Sequence, residues 1–478
     1  MQPRRQGRAQ PGEDHTRVVF LSLLIAGMAF ALSQTVVSPA LPEIQREYGA
    51  DAASAAWILT GYLLAASVAT PIVGKLGDLF GLAKVLTTVL LIFAAGSVVC
   101  ALAPSLSVLV VGRVIQGVGG GIFPLAFGII RQTFPPERVP TAIGGISATF
   151  GIGGGVGLVI AGVIVESLGA SWLFWLGLMA LPGAYAIWRY VPREETRPDA
   201  RVDWVGAALL SVALASLLYG LSKANAWGWG SPRVLALTLG GLAVGAIWVW
   251  VETKVDQPLV DMRVLRRRAV LMTNITGVLI GFSMFASFLL IPQLAQTPER
   301  FGYGFGATVS GAGLLMLPSS IVMLFTGPFA GRLATRFGSR TPLVIGTAIG
   351  AAAFCFYALA HATEFEIALG GAILGIGIGF SFASMANLVV ESVPRDEVGV
   401  ATGINTIMRT LGGALGAQLV ASLLTGKTIG NTPIPAEAAY TDAFIVAAVA
   451  ALLAMFCALS IPQKRRPRPK AVTAPAPA

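Results

Sequence analysis

The amino-acid sequence predicts an all-α integral membrane protein, with two six-helix bundles and two additional transmembrane helices between them. Three observations predict this class. Hydrophobic residues make up 55% of the 478 residues and charged residues only 12%, whereas soluble domains carry roughly 25% charged residues. Apolar runs long enough to cross a bilayer follow one another along the chain. Glycine-rich motifs of the first half return in the second half, about 258 residues later.

Fourteen apolar runs are long enough to cross ~30 Å of hydrocarbon as helices. They lie near residues 18–39, 55–74, 84–103, 106–130, 140–165, 170–190, 204–222, 233–251, 269–292, 307–327, 341–361, 366–390, 398–423 and 442–461. We therefore divide the chain into a tail (1–17), an N-terminal bundle (18–190), a linker with two additional helices (191–268), a C-terminal bundle (269–461) and a second tail (462–478).

The repeat supports this division. A shift of about 258 residues places Gly117 on Gly375 and Gly155 on Gly413, in the same order along both halves. Six helices occupy less chain than this offset, so the remainder has room for two inserted helices. Because the repeat omits these two helices, we do not expect them to carry the core mechanism. Two such repeats are typical of membrane transporters.

The basic residues predict the orientation. Of the 33 Lys and Arg residues, roughly 26 fall on the side of both chain ends, which the positive-inside rule assigns to the cytoplasm. The net charge of +10 is thereby explained without nucleic acid. Three cysteines and two histidines suggest neither a disulfide framework nor a metal site. The sequence also lacks paired carboxylates at depth and a GxxxxGK(S/T) phosphate loop, which argues against a membrane enzyme and an ATP-driven pump.

A charged motif, GKLGDLFGLAKV, begins at Gly74, between the second and third spans. Its glycines, including Gly74 and Gly81, allow helix ends to approach closely, and Asp78 can face a helix N-terminus, where the helix dipole stabilises a carboxylate. This pattern predicts a cytoplasmic latch that holds the two halves together in one state. An ordinary charged turn is the alternative.

This motif resembles the G-x-L-x-D-x-x-G-x-(K/R) loop of the major facilitator superfamily. GRVIQGVGGG from Gly112 resembles the R-x-x-Q-G motif of that family's fourth helix. PLVDMRVLRRR and NTIMRTLGGALG resemble segments of its fourteen-helix drug:proton antiporter branch. The resemblance covers nearly the whole chain, and it implies two six-helix bundles around a central cavity that opens to each side of the membrane in turn.

Several residues receive a coupling or gating role through this resemblance. Arg113 lies within an apolar span, where an arginine is costly and needs a partner or water; Gln116, one turn away, can provide a hydrogen bond. Snorkelling of Arg113 to the interface is the alternative. Arg409 is the second intramembrane charge, which we expect to pair with backbone carbonyls or Asn405. The candidate set for proton coupling and gating is Gly74, Asp78, Gly81, Arg113, Gln116, Gly117, Gly155, Gly157, Glu166 and Arg409.

Two positions depart from the family pattern. Ser33 stands where a membrane-embedded aspartate is typical of the first helix, and Leu158 stands where the antiporter motif usually has proline. No Asp or Glu replaces that aspartate near the middle of any span. We therefore hypothesise that proton coupling runs through Asp78 or Glu166 together with Arg113. Neutral or weakly acidic apolar substrates are also favoured, because no central carboxylate would neutralise a cation.

In this fold the first, fourth, seventh and tenth helices, counted without the inserted pair, line the cavity. The candidate cavity residues are Phe30, Ser33, Gln34, Phe123, Asn274, Met284, Phe285, Phe380 and Asn387. The predicted function is export of amphipathic organic compounds, drugs or a metabolite, across a bacterial plasma membrane by proton antiport. An uncoupled facilitator or importer is the alternative. We expect a monomer with both termini in the cytoplasm, the proton gradient as energy source, the small-molecule substrate, protons and lipid as partners, and no cofactor, metal or nucleic acid.

Overall fold

A computed structural model describes residues 13–50, 52–191, 203–394, 397–430, 432 and 434–462. These residues form helices joined by turns, which confirms the all-α prediction. The two predicted tails fall almost entirely outside the described residues, as does most of the polar stretch that begins the predicted linker.

The N-terminal half contains nine α-helices among the described residues. They are α1 (Glu13–Thr35), α2 (Val37–Tyr48), α3 (Ala52–Phe80), α4 (Leu82–Ala101), α5 (Leu106–Gly117), α6 (Ile122–Thr133), α7 (Val139–Leu168), α8 (Trp172–Trp175) and α9 (Ala180–Tyr190). Two long helices and a short one follow, namely α10 (Trp204–Trp227), α11 (Pro232–Glu252) and α12 (Met262–Leu265). The C-terminal half comprises α13 (Arg268–Gln296), α14 (Val309–Phe337), α15 (Arg340–Leu359), α16 (Glu364–Ser392), α17 (Val398–Gly426) and α18 (Glu437–Leu459).

Twelve helical stretches of the described residues are long and apolar enough to cross a membrane, with α5 and α6 forming one stretch. Helix α7, which has 30 residues, and the series from α8 to α9 occupy the positions of the fifth and sixth predicted spans. The arrangement is therefore consistent with fourteen spans. We call the end that the basic residues assign to the cytoplasm the inner end, and the opposite end the outer end.

The fourth predicted span is broken, because a 3₁₀ turn at Val118–Gly121 separates α5 from α6. The glycines of this turn lie against neighbouring helices. A Cβ added at Gly120 would lie 2.5 Å from the carbonyl oxygen of Ala66, and one added at Gly121 would lie 2.1 Å from Val73. No larger residue fits at this approach, which explains the clustering of glycines that the sequence shows.

The two halves meet through backbone contacts at glycines. A Cβ at Gly144 of α7 would lie 2.2 Å from the carbonyl oxygen of Gly327 in α14. A Cβ at Gly74 of α3 would lie 2.6 Å from the carbonyl oxygen of Gly399 in α17. Small residues at helix interfaces allow this approach in membranes, where packing rather than the hydrophobic effect drives helix association.

The inserted helix α10 lies beside the junction of α3 and α17 and contacts both halves. The ring of Tyr219 stacks on Trp57 of α3 with 5.3 Å between ring centroids. The Asn225 side chain donates to the carbonyl oxygen of Gln418 at 3.0 Å, and the indole N–H of Trp229 donates to Ser422 at 3.0 Å. Helix α10 and the turn after it therefore join α3 of the first half to α17 of the second.

Candidate functional site

A cavity of about 910 Å³ lies between the two halves. Its walls come from α1, α3, α5, α6 and α7 on one side and from α13, α14, α16, α17 and α18 on the other, with Gly120 of the 3₁₀ turn and residues of the outer turns of the second half. None of its lining residues belongs to α10 or α11. The cavity is thus lined by residues from both halves and by none from the two inserted helices.

The inner end of the cavity is closed by hydrogen bonds between the halves. The Asp78 carboxylate accepts from the backbone N–H groups of Gly399 at 3.2 Å and Val400 at 3.1 Å, in the first turn of α17. Arg131 donates to the carbonyl oxygen of Val393 at 2.9 Å. The predicted latch motif therefore lies mainly within the last turns of α3 and reaches a helix N-terminus of the opposite half.

At the other end, the cavity reaches the outer ends of α13 and α18, where Gln296, Thr297, Pro435 and Tyr440 line it. Tyr303, in the turn after α13, donates a hydrogen bond to the Pro435 carbonyl oxygen. Burial, and to a smaller extent the neighbouring Glu437, raise the pKa of Tyr303. The cavity therefore extends from a closed inner end towards the outer end.

Arg113 is the only charged residue that α5 contributes to the cavity wall, and it is fully buried. Its guanidinium donates to the carbonyl oxygens of Ile58 at 3.2 Å and Ser33 at 3.1 Å, and to Gln116 Oε1 at 2.8 Å. The guanidinium carbon also lies 4.0 Å above the ring of Tyr62. These contacts rule out snorkelling. Among the described residues, one guanidinium nitrogen, Nη2, has no hydrogen-bond partner.

Arg409 lies near the middle of α17 and points across the cavity. Its guanidinium carbon is 4.2 Å from the ring centroid of Phe382 in its own half and 5.1 Å from that of Phe150 in the other half. Among the described residues, no hydrogen bond from Arg409 to Asn405 is found; the Asn405 amide N–H donates to Asn274 Oδ1 at 3.0 Å. The two asparagines thus join α17 to α13, while Arg409 faces the cavity.

Tight packing positions Arg409. A Cβ added at Gly281 of α13 would lie 2.0 Å from the Arg409 carbonyl oxygen, and one added at Gly412 would lie 1.8 Å from the carbonyl oxygen of Val278. The backbone of α17 is thus pressed against α13 on one face. Its opposite face carries Arg409 into the cavity, whose lining includes no Asp or Glu among the described residues.

Five of the nine predicted cavity residues line the cavity: Phe30, Gln34, Phe123, Met284 and Phe285. Four do not, which corrects the sequence-based assignment. Ser33 and Asn274 are buried in helix contacts, with Ser33 offering its carbonyl to Arg113. Phe380 packs against Phe329 on another face of α16, and Asn387 donates to the Pro140 carbonyl oxygen in the closed inner interface.

The predicted gating glycines lie at close helix approaches or turns. A Cβ at Gly117 would lie 2.4 Å from Ala65, and one at Gly157 would lie 2.5 Å from the Thr35 hydroxyl. Gly81 lies between α3 and α4 with a φ of 97°, a conformation that favours glycine. Gly155 and Glu166 fall within α7, but their surroundings lie outside the described part of the structure.

Sequence reasoning predicted Phe123 but missed three other aromatic residues around the two arginines, namely Tyr62, Phe150 and Phe382. The ring of Phe150 stacks on Phe123 at 4.1 Å, and Phe382 meets Phe150 edge-on at 5.6 Å, linking the halves. Tyr62 lies under Arg113. The only signal available in the sequence was helical periodicity. At 100° per residue, Phe380 and Phe382 necessarily face different sides of α16.

The fold and the cavity together define a helical membrane protein with two halves around a central, drug-sized chamber. The sequence profile described as Major Facilitator Superfamily matches residues 23–417 and 273–477. The chain belongs to the major facilitator superfamily, so it is a multi-pass membrane transporter.

Two bacterial transporters are similar to it in sequence. It is 31% identical over 391 residues to the "Tetracenomycin C resistance and export protein" of Streptomyces glaucescens, a match that covers 80% of this chain and 71% of that protein. It is also 31% identical to the "Uncharacterized MFS-type transporter YhcA" of Bacillus subtilis, over 68% of this chain. The matched region spans 61% of YhcA.

Among solved structures, the human organic anion transporter MFSD10 (TETRAN) superposes with a TM-score of 0.67. The match covers 94% of this chain and 100% of that structure, at 18% sequence identity. At this identity the likeness concerns the fold alone.

Proposed function

We propose that this protein is a secondary transporter that exports amphipathic organic compounds in exchange for protons, by alternating access. The observation that carries the proposal is the cavity between the halves, closed at the inner end by Asp78 and reaching the outer end. A transporter of this kind presents one central site to each side of the membrane in turn. The described conformation suits the outward-facing member of that cycle.

The lining of the cavity supports an amphipathic substrate. Phenylalanine and methionine side chains, among them Phe285, Phe288 and Met316, provide apolar surface, while Gln34 and Gln293 provide hydrogen-bonding groups. A volume of about 910 Å³ falls within the range of sites for drug-sized ligands. The export direction is supported by the Streptomyces relative, which is described as a resistance and export protein.

Coupling to protons would involve Asp78 and Arg113. Protonation of Asp78 would replace an ionic acceptor by a neutral one and weaken both hydrogen bonds to α17. The closed inner end would thereby open more readily. Arg113, joined to Gln116, to the α3 backbone through Ile58 and to α1 through Ser33, would transmit a shift of these helices to the cavity.

An uncoupled facilitator remains the alternative, and one observation favours it. The described cavity lining contains no carboxylate that could exchange a proton with the substrate. In a facilitator, Ser33 and Leu158 would mark the loss of coupling rather than a different route for protons.

Purified protein in liposomes with an acidic lumen and a trapped pH dye distinguishes these functions. Proton antiport predicts that an added amphipathic substrate makes the lumen more alkaline, and that Arg113→Ala abolishes this response. Arg300→Ala, which removes an arginine from the exposed outer turn, is the matched control and should respond as wild type. Substrate flux without any change in lumenal pH would identify a facilitator. Absence of flux for cationic, neutral and acidic compounds alike would contradict transport of this substrate class.

A further inference from the structure

We propose that the cavity selects organic anions, and that the guanidinium of Arg409 binds the substrate's acidic group. This inference rests on the proposed transport function and names its substrate class. It begins from the isolation of Arg409. The residue is buried, with an exposed fraction of 8%. No hydrogen bond or ion pair to its side chain is found among the described residues, and its neighbours are the rings of Phe150 and Phe382.

A buried cation without an ionic partner is costly, and most such groups in proteins are paired. Aromatic faces offset part of this cost but leave the N–H groups of the guanidinium unused. Arg409 has five N–H donors in a planar fork, which suits two-point binding of a carboxylate or a similar acidic group. The unfilled donor capacity and the cavity position make substrate the natural partner.

The charge of the whole cavity points the same way. Its described lining contains Arg113 and Arg409 but no Asp or Glu. Hydrogen bonds to Gln116 and to two backbone carbonyls occupy Arg113 without neutralising it. Both positive charges therefore act on a ligand in the cavity, where an anion is attracted and a cation repelled.

The shape of the site adds an orientation. Arg409 lies about 16 Å along α17 from its inner end, beside the aromatic group formed by Phe123, Phe150 and Phe382. Phe285, Phe288 and Met316 line the rest of the chamber. An anion bound at Arg409 would place its apolar body against these side chains. An amphipathic acid thus fits better than a small inorganic anion, which would leave the apolar surface empty.

Three probes with one naphthyl body test this selection: 1-naphthylacetate, its neutral amide and 1-(1-naphthyl)ethylamine. Binding to the purified full chain would be measured by equilibrium dialysis, and transport by uptake into proteoliposomes. We expect wild type to bind the acid at least 10-fold more tightly than the amide, with the amine weakest. Arg409→Gln should raise the Kd of the acid about 10- to 100-fold and leave that of the amide unchanged.

A second variant keeps the test valid if Arg409→Gln fails to fold. Thr406 lines the cavity one turn before Arg409 on α17, so Thr406→Asp would place a carboxylate beside the guanidinium and occupy it. The acid should then lose its advantage over the amide. Thr425→Asp adds the same charge to an exposed position near the outer end of α17 and is the matched control.

The outcomes separate this inference from the proposed function. Preferential binding of the acid without uptake of any probe would support anion recognition and contradict transport. If wild type takes up the amide or the amine as fast as the acid and binds all three probes equally, transport is supported and anion recognition is overturned. If both Thr406→Asp and Arg409→Gln fold but lose binding of the amide as well as of the acid, anion recognition is also overturned. The defect would then not concern charge.

Discussion

Replacing Asp78 by asparagine is expected to shift the protein away from the outward-facing state. In that state the carboxylate joins α3 of one half to the N-terminus of α17 in the other, through hydrogen bonds of 3.2 and 3.1 Å. Asparagine keeps the size of the side chain. It loses the charge, and only one of its two terminal atoms can accept a hydrogen bond.

The magnitude follows from these contacts. A hydrogen bond to a charged group contributes ~1.5–3 kcal/mol, and a favourable charge at a helix N-terminus ~0.3–1 kcal/mol. Asp78 is only half-buried, so we take a net loss of about 2 kcal/mol, or about 30-fold in the equilibrium between states. An inward-facing population near 1% in wild type would rise to about a quarter.

Double electron–electron resonance, which measures the distance between two spin labels, can detect this shift. Spin labels at Leu102 and Ala362, both exposed at the outer ends of opposite halves, would report the outer distance on a background without the native cysteines. Asp78→Asn should add a population with a shorter outer distance. Asp442→Asn removes another carboxylate, one that pairs with Lys427 within the C-terminal half, and should leave the distribution unchanged. An Asp78→Asn distribution identical to that of wild type would refute the latch.

Two further predictions concern packing and the buried arginine. Gly144→Ala should lower the melting temperature and slow transport, because its Cβ would lie 2.2 Å from the Gly327 carbonyl oxygen. Gly350→Ala is the control, since a Cβ at Gly350 would meet nothing within 4 Å. It should leave transport intact and favour its helix by up to ~1 kcal/mol. Equal thermal unfolding curves for the two variants would contradict the close approach. Arg113→Lys should reduce proton-coupled flux about 10-fold or more, since an ammonium group cannot reproduce the planar fork that reaches Ile58 and Gln116; undiminished coupling would show that charge alone suffices.

Much of the fold could be predicted because membrane helices are recorded in single-sequence patterns. Apolar length located most of the helices, and the glycine repeat indicated two halves with an insert between them. The break between α5 and α6 was missed, since Val118–Gly121 is as apolar as the helix around it. Glycines 119–121 indicated close packing, but the change to a 3₁₀ turn depends on which side chains of α3 and α4 lie opposite.

The candidate site was only partly predictable, and the reason is tertiary. The bond between Arg113 and Gln116 follows from their spacing along one helix. The aromatic partners of Arg409 come from α7 and α16. These helices are distant from Arg409 in the sequence or lie outside its local pattern, so a single sequence does not predict the contacts. Phe380 and Phe382 differ by two residues, yet only Phe382 faces the cavity. The choice between them depends on the rotation of α16, which is fixed by contacts such as that of Gly379 with Thr326.

The central claim, that the halves must separate at their inner end for substrate to cross, is tested most directly by locking that end with a disulfide. A Cβ at Gly403 of α17 would lie 3.4 Å from Thr70 Cγ2 in α3, a separation compatible with a disulfide between cysteines at both positions. We predict that oxidation of the Thr70→Cys/Gly403→Cys protein stops substrate flux in liposomes, that reduction restores it, and that neither single variant responds to oxidant. Full transport by the oxidised, cross-linked protein would contradict alternating access.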